Sequence, residues 1–186
     1  MMSEDLIHDD PVFNYRLRFH QQKGDNLTMD VWVDPDGGVS IPHYHPTIQE
    51  TFEVVEGETT FTADGEEITA RPGDPPVVVK PGVRHSFKNH GTVEAHIVCE
   101  ASPAGRLQGF LTEAAAMARA GTYTKAGIPK GPRALLKAAE FADRYRDDVV
   151  LTAITFPPPR LQPALLGPLA RLERRRQRSA SAPPRA

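Results

Sequence analysis

Cysteine is nearly absent from this chain: Cys99 is the only one. That excludes an intrachain disulfide framework and any CxxC zinc or redox motif. Hydrophobic runs are short, and none approaches the roughly 18 apolar residues of a membrane-spanning helix. The opening MMSEDLIHDD is acidic and polar, unlike a secretory signal or a transit peptide, so a cytoplasmic protein is expected. No internal repeat, P-loop, dinucleotide-binding glycine motif or nucleophile elbow is present. Apolar residues make up only 39% of the 186 residues, so part of the chain is expected to lie outside a packed core. Eighteen prolines and fourteen glycines dictate many turns and argue against a long helical bundle.

Charge is small in sum and uneven in distribution. The net charge is −2, yet residues 160–186 carry seven arginines against the single acid Glu173. The body is acidic and lacks a helix-turn-helix pattern, which opposes phosphate binding and excludes a nucleic-acid reader.

Residues 12–101 carry the marks of strands and turns. Phe13, Tyr15, Leu17 and Phe19 alternate with polar residues, as do Met29, Val31 and Val33. Asp64-Gly65 sits between two β-rich runs and marks a hairpin. Val77–Val79 and 93–100 complete a set of short strands spaced as in a sandwich or barrel. From residue 105 the pattern changes to helix. Leu107–Ala120 ends at Gly121, Arg133–Arg146 follows Pro132, and 149–156 is an apolar strip. Pro157-Pro158-Pro159 then interrupts the chain before a third helix over 160–178. The expected organisation is an N-terminal arm (1–11), a barrel (12–104), a helical extension (105–156), a Pro-rich segment with a basic amphipathic helix (157–178) and a disordered tail (179–186).

The chemistry is concentrated between Gly37 and Asn89. His43 and His45 are two apart in an extended segment, so both imidazoles point to one face while Tyr44 points away. Glu50 follows after a bend at Pro46, and His85 follows the turn Lys80-Pro81-Gly82. Three neutral imidazoles and a carboxylate suit a divalent first-row transition metal with room for solvent or substrate. Phe52, Val54, Phe61 and Phe87 are candidates for an apolar cavity wall. Arginine is scarce here, and Arg84 is the candidate for docking a substrate carboxylate. His8, His20 and His90 are expected at the surface, His96 as a hydrogen-bonded strand residue and Cys99 as a small buried hydrophobe. Trp32, Phe13, Tyr15 and Phe19 are expected in core or interface rather than against a substrate, and Asn89 is expected to brace a loop.

These residues carry a specific resemblance. Gly37, His43-Tyr44-His45, Glu50 and Gly57 match every fixed position of the first cupin motif. Gly73-Asp74, Pro81-Gly82, His85 and Asn89 resemble the second, with Pro75–Lys80 lengthening the gap before the turn. The resemblance covers about residues 27–101 and points to small metal-binding cupins of the quercetin-dioxygenase-like kind. It implies a mainly β fold, a double-stranded β-helix, here with a C-terminal helical extension. It also implies one divalent metal per chain (Fe, Mn, Ni, Cu or Zn) on His43, His45, Glu50 and His85, with Glu50 as ligand or catalytic base. The implied activity is that of a dioxygenase acting on a small aromatic or enolic molecule. The alternatives are an O₂-independent isomerase, decarboxylase or cyclase, or a non-enzymatic small-molecule binder. A homodimer is expected through the strand Val12–Phe19, used as a sheet edge. Leu161, Leu165, Leu166, Leu169 and Leu172 are expected to form a stripe that packs on the protein's own body. Membrane contact by the basic helix is the less favoured reading.

Overall fold

The computed structural model describes residues 7–20, 24–152 and 162–180. Ten strands come first: β1 (Ile7–Asp10), β2 (Tyr15–Phe19), β3 (Leu27–Val33), β4 (His43–Tyr44), β5 (Gln49–Glu56), β6 (Thr59–Ala63), β7 (Glu66–Ala70), β8 (Val77–Val79), β9 (His85–Lys88) and β10 (Ala95–Ser102). Then follow α1 (Leu107–Arg119), α2 (Gly131–Arg144), β11 (Val150–Leu151) and α3 (Gln162–Ala180). One sheet has the order β1-β2-β3-β10-β5-β8 and the other β11-β4-β9-β6-β7, with antiparallel pairing throughout. This is a mainly β, double-stranded β-helix with C-terminal helices. Among the described residues, no helix is long and apolar enough to cross a membrane.

The period of two decides which residues face inward. Tyr15, Leu17 and Phe19 on β2, Met29, Val31 and Val33 on β3, and Ile97 and Cys99 on β10 are all buried on the inner face of the first sheet. Glu50, Phe52 and Val54 occupy the same inner phase of β5, so alternation alone carries a carboxylate into the interior. Asn89 braces the β9–β10 turn as expected. Its Nδ2 donates to the carbonyls of Val33 (2.9 Å) and Val93 (2.8 Å), and its Oδ1 accepts from the Gly91 N–H (2.8 Å).

The structure corrects several sequence expectations. The first sheet begins at Ile7, not at residue 12, because β1 pairs along β2 with Asp10 opposite Tyr15. Since β3 takes the other side of β2, that strand has no free edge; the open edge is β1. His8 is not a surface residue. It sits at an inward position of β1, is 7% exposed, and tilts against Phe19 with ring centroids 5.2 Å apart. The helical extension also returns a strand to the barrel, since β11 pairs with β4.

Aromatic packing joins α1 to α2: the Phe110 ring stacks on Phe141 at 4.9 Å and meets Tyr145 edge-on at 5.6 Å. The start of α1 is held from far along the chain. Asp148 Oδ1 accepts the Arg106 backbone N–H at 2.9 Å, and Asp148 Oδ2 accepts Arg106 Nε at 2.9 Å. Residue 105 has φ 53° and a Cβ there would lie 2.6 Å from Asp148 Oδ1, so only glycine fits.

Of the leucine stripe expected in the last helix, Leu169 is half-buried and Leu172 is 49% exposed. Among its described side chains the buried positions are Gly167, Ala170 and Glu173. Small residues permit close approach to α2, and Arg174 reaches across to Asp143 at 3.0 Å. It runs to Ala180, two residues into the expected disordered tail. The side chains of Leu165 and Leu166, all of Leu161, the triple proline and residues 181–186 lie outside the described residues.

Asp30 organises the outer face of the first sheet. Its Oδ2 accepts Arg18 Nη2 at 2.6 Å and lies 2.9 Å from His20 Nε2, while Oδ1 lies 2.9 Å from His96 Nε2. His96 thus holds the hydrogen-bonded strand role expected of it, stacked on Trp32 at 4.9 Å. Burial alone would raise the Asp30 pKa, but Arg18, His96 and His20 outweigh it and bring the value down to about 2. A depressed carboxyl pKa adds stability above the unfolded value near 4, and that stability is lost as pH falls towards 2. Asp30→Asn should therefore cost roughly 1–2 kcal/mol at pH 7, a figure reduced for solvent screening of the exposed Arg18 and His20. The gap between variant and wild type should close between pH 4 and pH 2. Urea titrations across that range measure it, and a gap that does not change with pH would contradict the assignment.

Candidate metal centre

The two sheets bring the four candidate ligands together. His43 on β4 lies directly opposite His85 on β9, with ring centroids 4.3 Å apart. His45, just past β4, sits on the same side as His43 at 5.3 Å. Glu50 arrives from the facing sheet on β5. One donor atom from each of the four lies within 4.8 Å of the others, so this group could hold a metal ion.

The outer nitrogens of the three rings are fixed by backbone. His43 Nδ1 lies 3.0 Å from the Ile41 carbonyl, His85 Nδ1 3.0 Å from the Val83 carbonyl, and His45 Nδ1 2.8 Å from the Asp148 carbonyl. A carbonyl only accepts, so each Nδ1 carries a proton and each ring turns its Nε2 inward. Glu50 Oε2 is 2.9 Å from His85 Nε2 and 3.1 Å from His45 Nε2. Contacts this close between a carboxylate and imidazole nitrogens need a positive charge among them, either a ring proton or a metal ion. Among the described residues His45 Nε2, fully buried, makes no hydrogen bond. Imidazole nitrogens backed by carbonyls, together with a carboxylate oxygen, are the donor set of a divalent first-row metal.

Electrostatics favour positive charge beside Glu50. Burial, with the charges of His85 and His45, lowers the His43 pKa to about 3. Burial works against the charged forms of His45 and Glu50 as well, but their attraction prevails. It raises the His45 pKa and holds the Glu50 carboxyl well below the usual carboxylate range. Burial raises the Cys99 thiol well above its ordinary value, so Cys99 lines the site as an inert thiol rather than a ligand.

A cavity of about 280 Å³ opens from these four side chains. Its floor is the inner face of the first sheet. Its roof is α1 and α2, through residues that include Phe110, Ala114, Ala118, Ala138 and Ala142. Of the expected walls, Phe52 and Phe87 line it, while Val54 and Phe61 are buried in the core behind. Phe13 and Tyr15, expected in core or interface, also line it. Among the described residues no lysine or arginine does, and Arg84 stands exposed outside. The carboxylate-docking role expected of Arg84 is therefore excluded by its position. The roof residues escaped sequence reasoning, although one signal was present: alanines at i, i+4 on both helices leave volume above a barrel mouth.

The extension does more than cover the cavity. The Asp148 carbonyl orients His45 while its carboxylate clamps the start of α1, so one residue links ligand and roof. His45→Ala should remove most bound metal while the far-UV circular dichroism stays that of a β protein; full occupancy in elemental analysis would overturn the ligand assignment. Because His45 has a raised pKa and must be neutral to ligate, metal uptake should release protons and weaken as pH falls below about 6. Titration in weakly buffered indicator dye reads that release.

Comparison with known proteins agrees with this geometry. The cupin domain family matches residues 30–99, a stretch that contains all four converging side chains. An uncharacterized protein of Methanocaldococcus jannaschii is 28% identical over 98 residues, 53% of this chain and 78% of that protein. The polyketide synthase CurC of Streptomyces cyaneus is 39% identical over 61 residues, 33% of this chain and only 39% of its own length. An RmlC-like cupin from Shewanella frigidimarina superposes with a TM-score of 0.49 at 18% identity, covering 58% of this chain and 92% of that one. Residues 30–99, with His43, His45, Glu50 and His85 gathered at the mouth of the barrel, are a cupin domain.

Proposed function

We propose that this chain is a metal-dependent enzyme, an oxidoreductase of the dioxygenase type, acting on a small aromatic or enolic molecule. The supporting observation is the position of the four-residue centre. Three carbonyl-anchored imidazoles and an anionic Glu50 form one end of a roofed, apolar cavity that no lysine or arginine among the described residues lines. Such a cavity suits an uncharged organic body and disfavours phosphates and carboxylates. When bound, a divalent metal supplies an electrophile for a substrate oxygen and, if redox-active, a means of engaging O₂.

The protein's own groups supply the rest. The Nδ1–H bonds to Ile41, Asp148 and Val83 fix the rings. Glu50 faces the cavity and is the candidate acceptor for the proton of an enol or phenol as it binds. The apolar roof of α1 and α2 excludes water from that transfer.

A second reading is an O₂-independent isomerase, decarboxylase or cyclase. The 39% identity with a polyketide synthase favours it, because polyketide ketones enolise and need the same proton acceptor. We also propose a homodimer formed along the open edge of β1, to be checked by light scattering at micromolar concentration.

Elemental analysis followed by oxygen-electrode assays with catechol, enediol and flavonol compounds tests the main proposal. Substrate-dependent O₂ uptake that needs the metal is the expected outcome. Turnover that proceeds equally under argon assigns the second reading. A protein that takes up no metal, or takes it up and turns nothing over, is a binding module instead. Glu50→Gln should lower turnover about 100-fold or more while reducing metal occupancy far less. Parallel loss of both would restrict Glu50 to ligation.

A further inference from the structure

The cavity has a second polar end. Asp10 closes β1 and faces Tyr15 across the β1–β2 pair, and the two side chains are only 2% and 5% exposed. Both line the cavity that Glu50 lines, but four strands away (Asp10) and three strands away (Tyr15) across the first sheet. Between the two ends the floor is apolar, through Leu17, Met29, Val31 and Ile97.

The polar groups at the far end are only partly satisfied among the described residues. Asp10 Oδ1 accepts the backbone N–H groups of Val12 (2.9 Å) and Phe13 (3.1 Å). Among the described residues, no hydrogen bond reaches Asp10 Oδ2 or the Tyr15 hydroxyl. Tyr123 lines the same cavity, and its hydroxyl makes only a 3.8 Å contact to Met117 Sδ. Burial raises all three groups. The Asp10 charge raises both tyrosines further, Tyr123 to about 12, so they remain O–H donors at neutral pH. At Asp10 the two backbone N–H groups and the nearby Arg119 oppose that rise, while Asp9 adds to it, and the net shift stays upward. An acceptor and a donor that line a cavity without a protein partner can be completed by a ligand group.

We propose that this end of the cavity binds a hydroxyl carried by the substrate on the side remote from Glu50. The hydroxyl proton goes to Asp10 Oδ2, and the hydroxyl oxygen accepts from Tyr15. One hydroxyl matches one acceptor and one donor; an ether oxygen leaves Asp10 unpaired, and a carboxylate is repelled by it. The substrate class is thereby narrowed to two-ended phenols or enols, with one oxygen at the four-residue centre and a second at Asp10. This inference rests on the cavity being the substrate site.

Calorimetry on the metal-loaded protein tests it with three probes: 4-hydroxybiphenyl, 4,4′-dihydroxybiphenyl and 4-hydroxy-4′-methoxybiphenyl. The diol should bind at least tenfold tighter than the mono-phenol, and the methyl ether no tighter. Asp10→Asn retains an oxygen for the Val12 and Phe13 N–H groups, so the β1–β2 corner stays formed. It should cut the diol advantage below about threefold and let the ether bind as well as the diol. Tyr15→Phe should reduce the advantage independently. Equal binding of diol and mono-phenol by the wild type would overturn the proposal, as would an undiminished advantage in both variants or no binding of either compound. Chelation of the metal should weaken all three probes alike and preserve their ratios. Failure of the metal reading is thus separable from failure of this one.

Discussion

A carboxylate buried on the inner face of β5 is the constraint around which the site is built. Glu50 shares its face with Phe52 and Val54 and has no cationic lysine or arginine beside it. A lone buried charge of this kind is unstable by several kcal/mol. Its compensation comes from rings on the opposite sheet, His45 and His85, whose Nε2 atoms stand 3.1 and 2.9 Å away. Those rings turn their Nε2 atoms towards the carboxylate, so the arrangement favours positive charge at its centre, supplied by a ring proton or by the metal ion that the four groups could hold.

The helical extension belongs to the site rather than to the periphery. β11 pairs with β4, which places Leu151 opposite His43, and β9 holds the other side of the same short strand. Asp148, just before β11, presents its carbonyl to His45 and its carboxylate to the first turn of α1. A two-residue strand such as β4 is too short to fix its own side chains, and its neighbours supply the rigidity. Movement of α1 or α2 is therefore coupled to the orientation of His45, and the aromatic contacts of Phe110, Phe141 and Tyr145 keep both helices over the cavity.

The division of charge along the barrel walls follows the same logic. Outward positions of β2, β3 and β10 carry Arg16, Arg18, Asp30, Trp32 and His96, joined in ion pairs and stacked rings. Inward positions carry apolar residues, with polar groups only at the two ends of the cavity. A ligand entering this space meets directional groups at Glu50 and at Asp10 with Tyr15, and dispersion contacts between them. Shape and two hydrogen-bonding ends, rather than net charge, would then select the substrate.

Local chemistry made much of this legible. Alternation gave β2, β3 and β5 their faces, Asp64-Gly65 gave the hairpin between β6 and β7, and the spacing of His43, His45, Glu50 and His85 marked the centre, because each depends on residues close in sequence. Three outcomes depended on residues far apart. The burial of His8 and the loss of a free edge on β2 follow from β1 folding back along it. The roof over the cavity follows from Phe110 meeting Phe141 and Tyr145. The orientation of His45 follows from a carbonyl 103 residues away. Composition and periodicity record what a residue prefers, and so they determined the strands and the turns, while the candidate ligand set was implied by the resemblance to the two cupin motifs. Which backbone carbonyl accepts from which ring, and which helix closes which mouth, are matters of three-dimensional contact that only the packed chain decided.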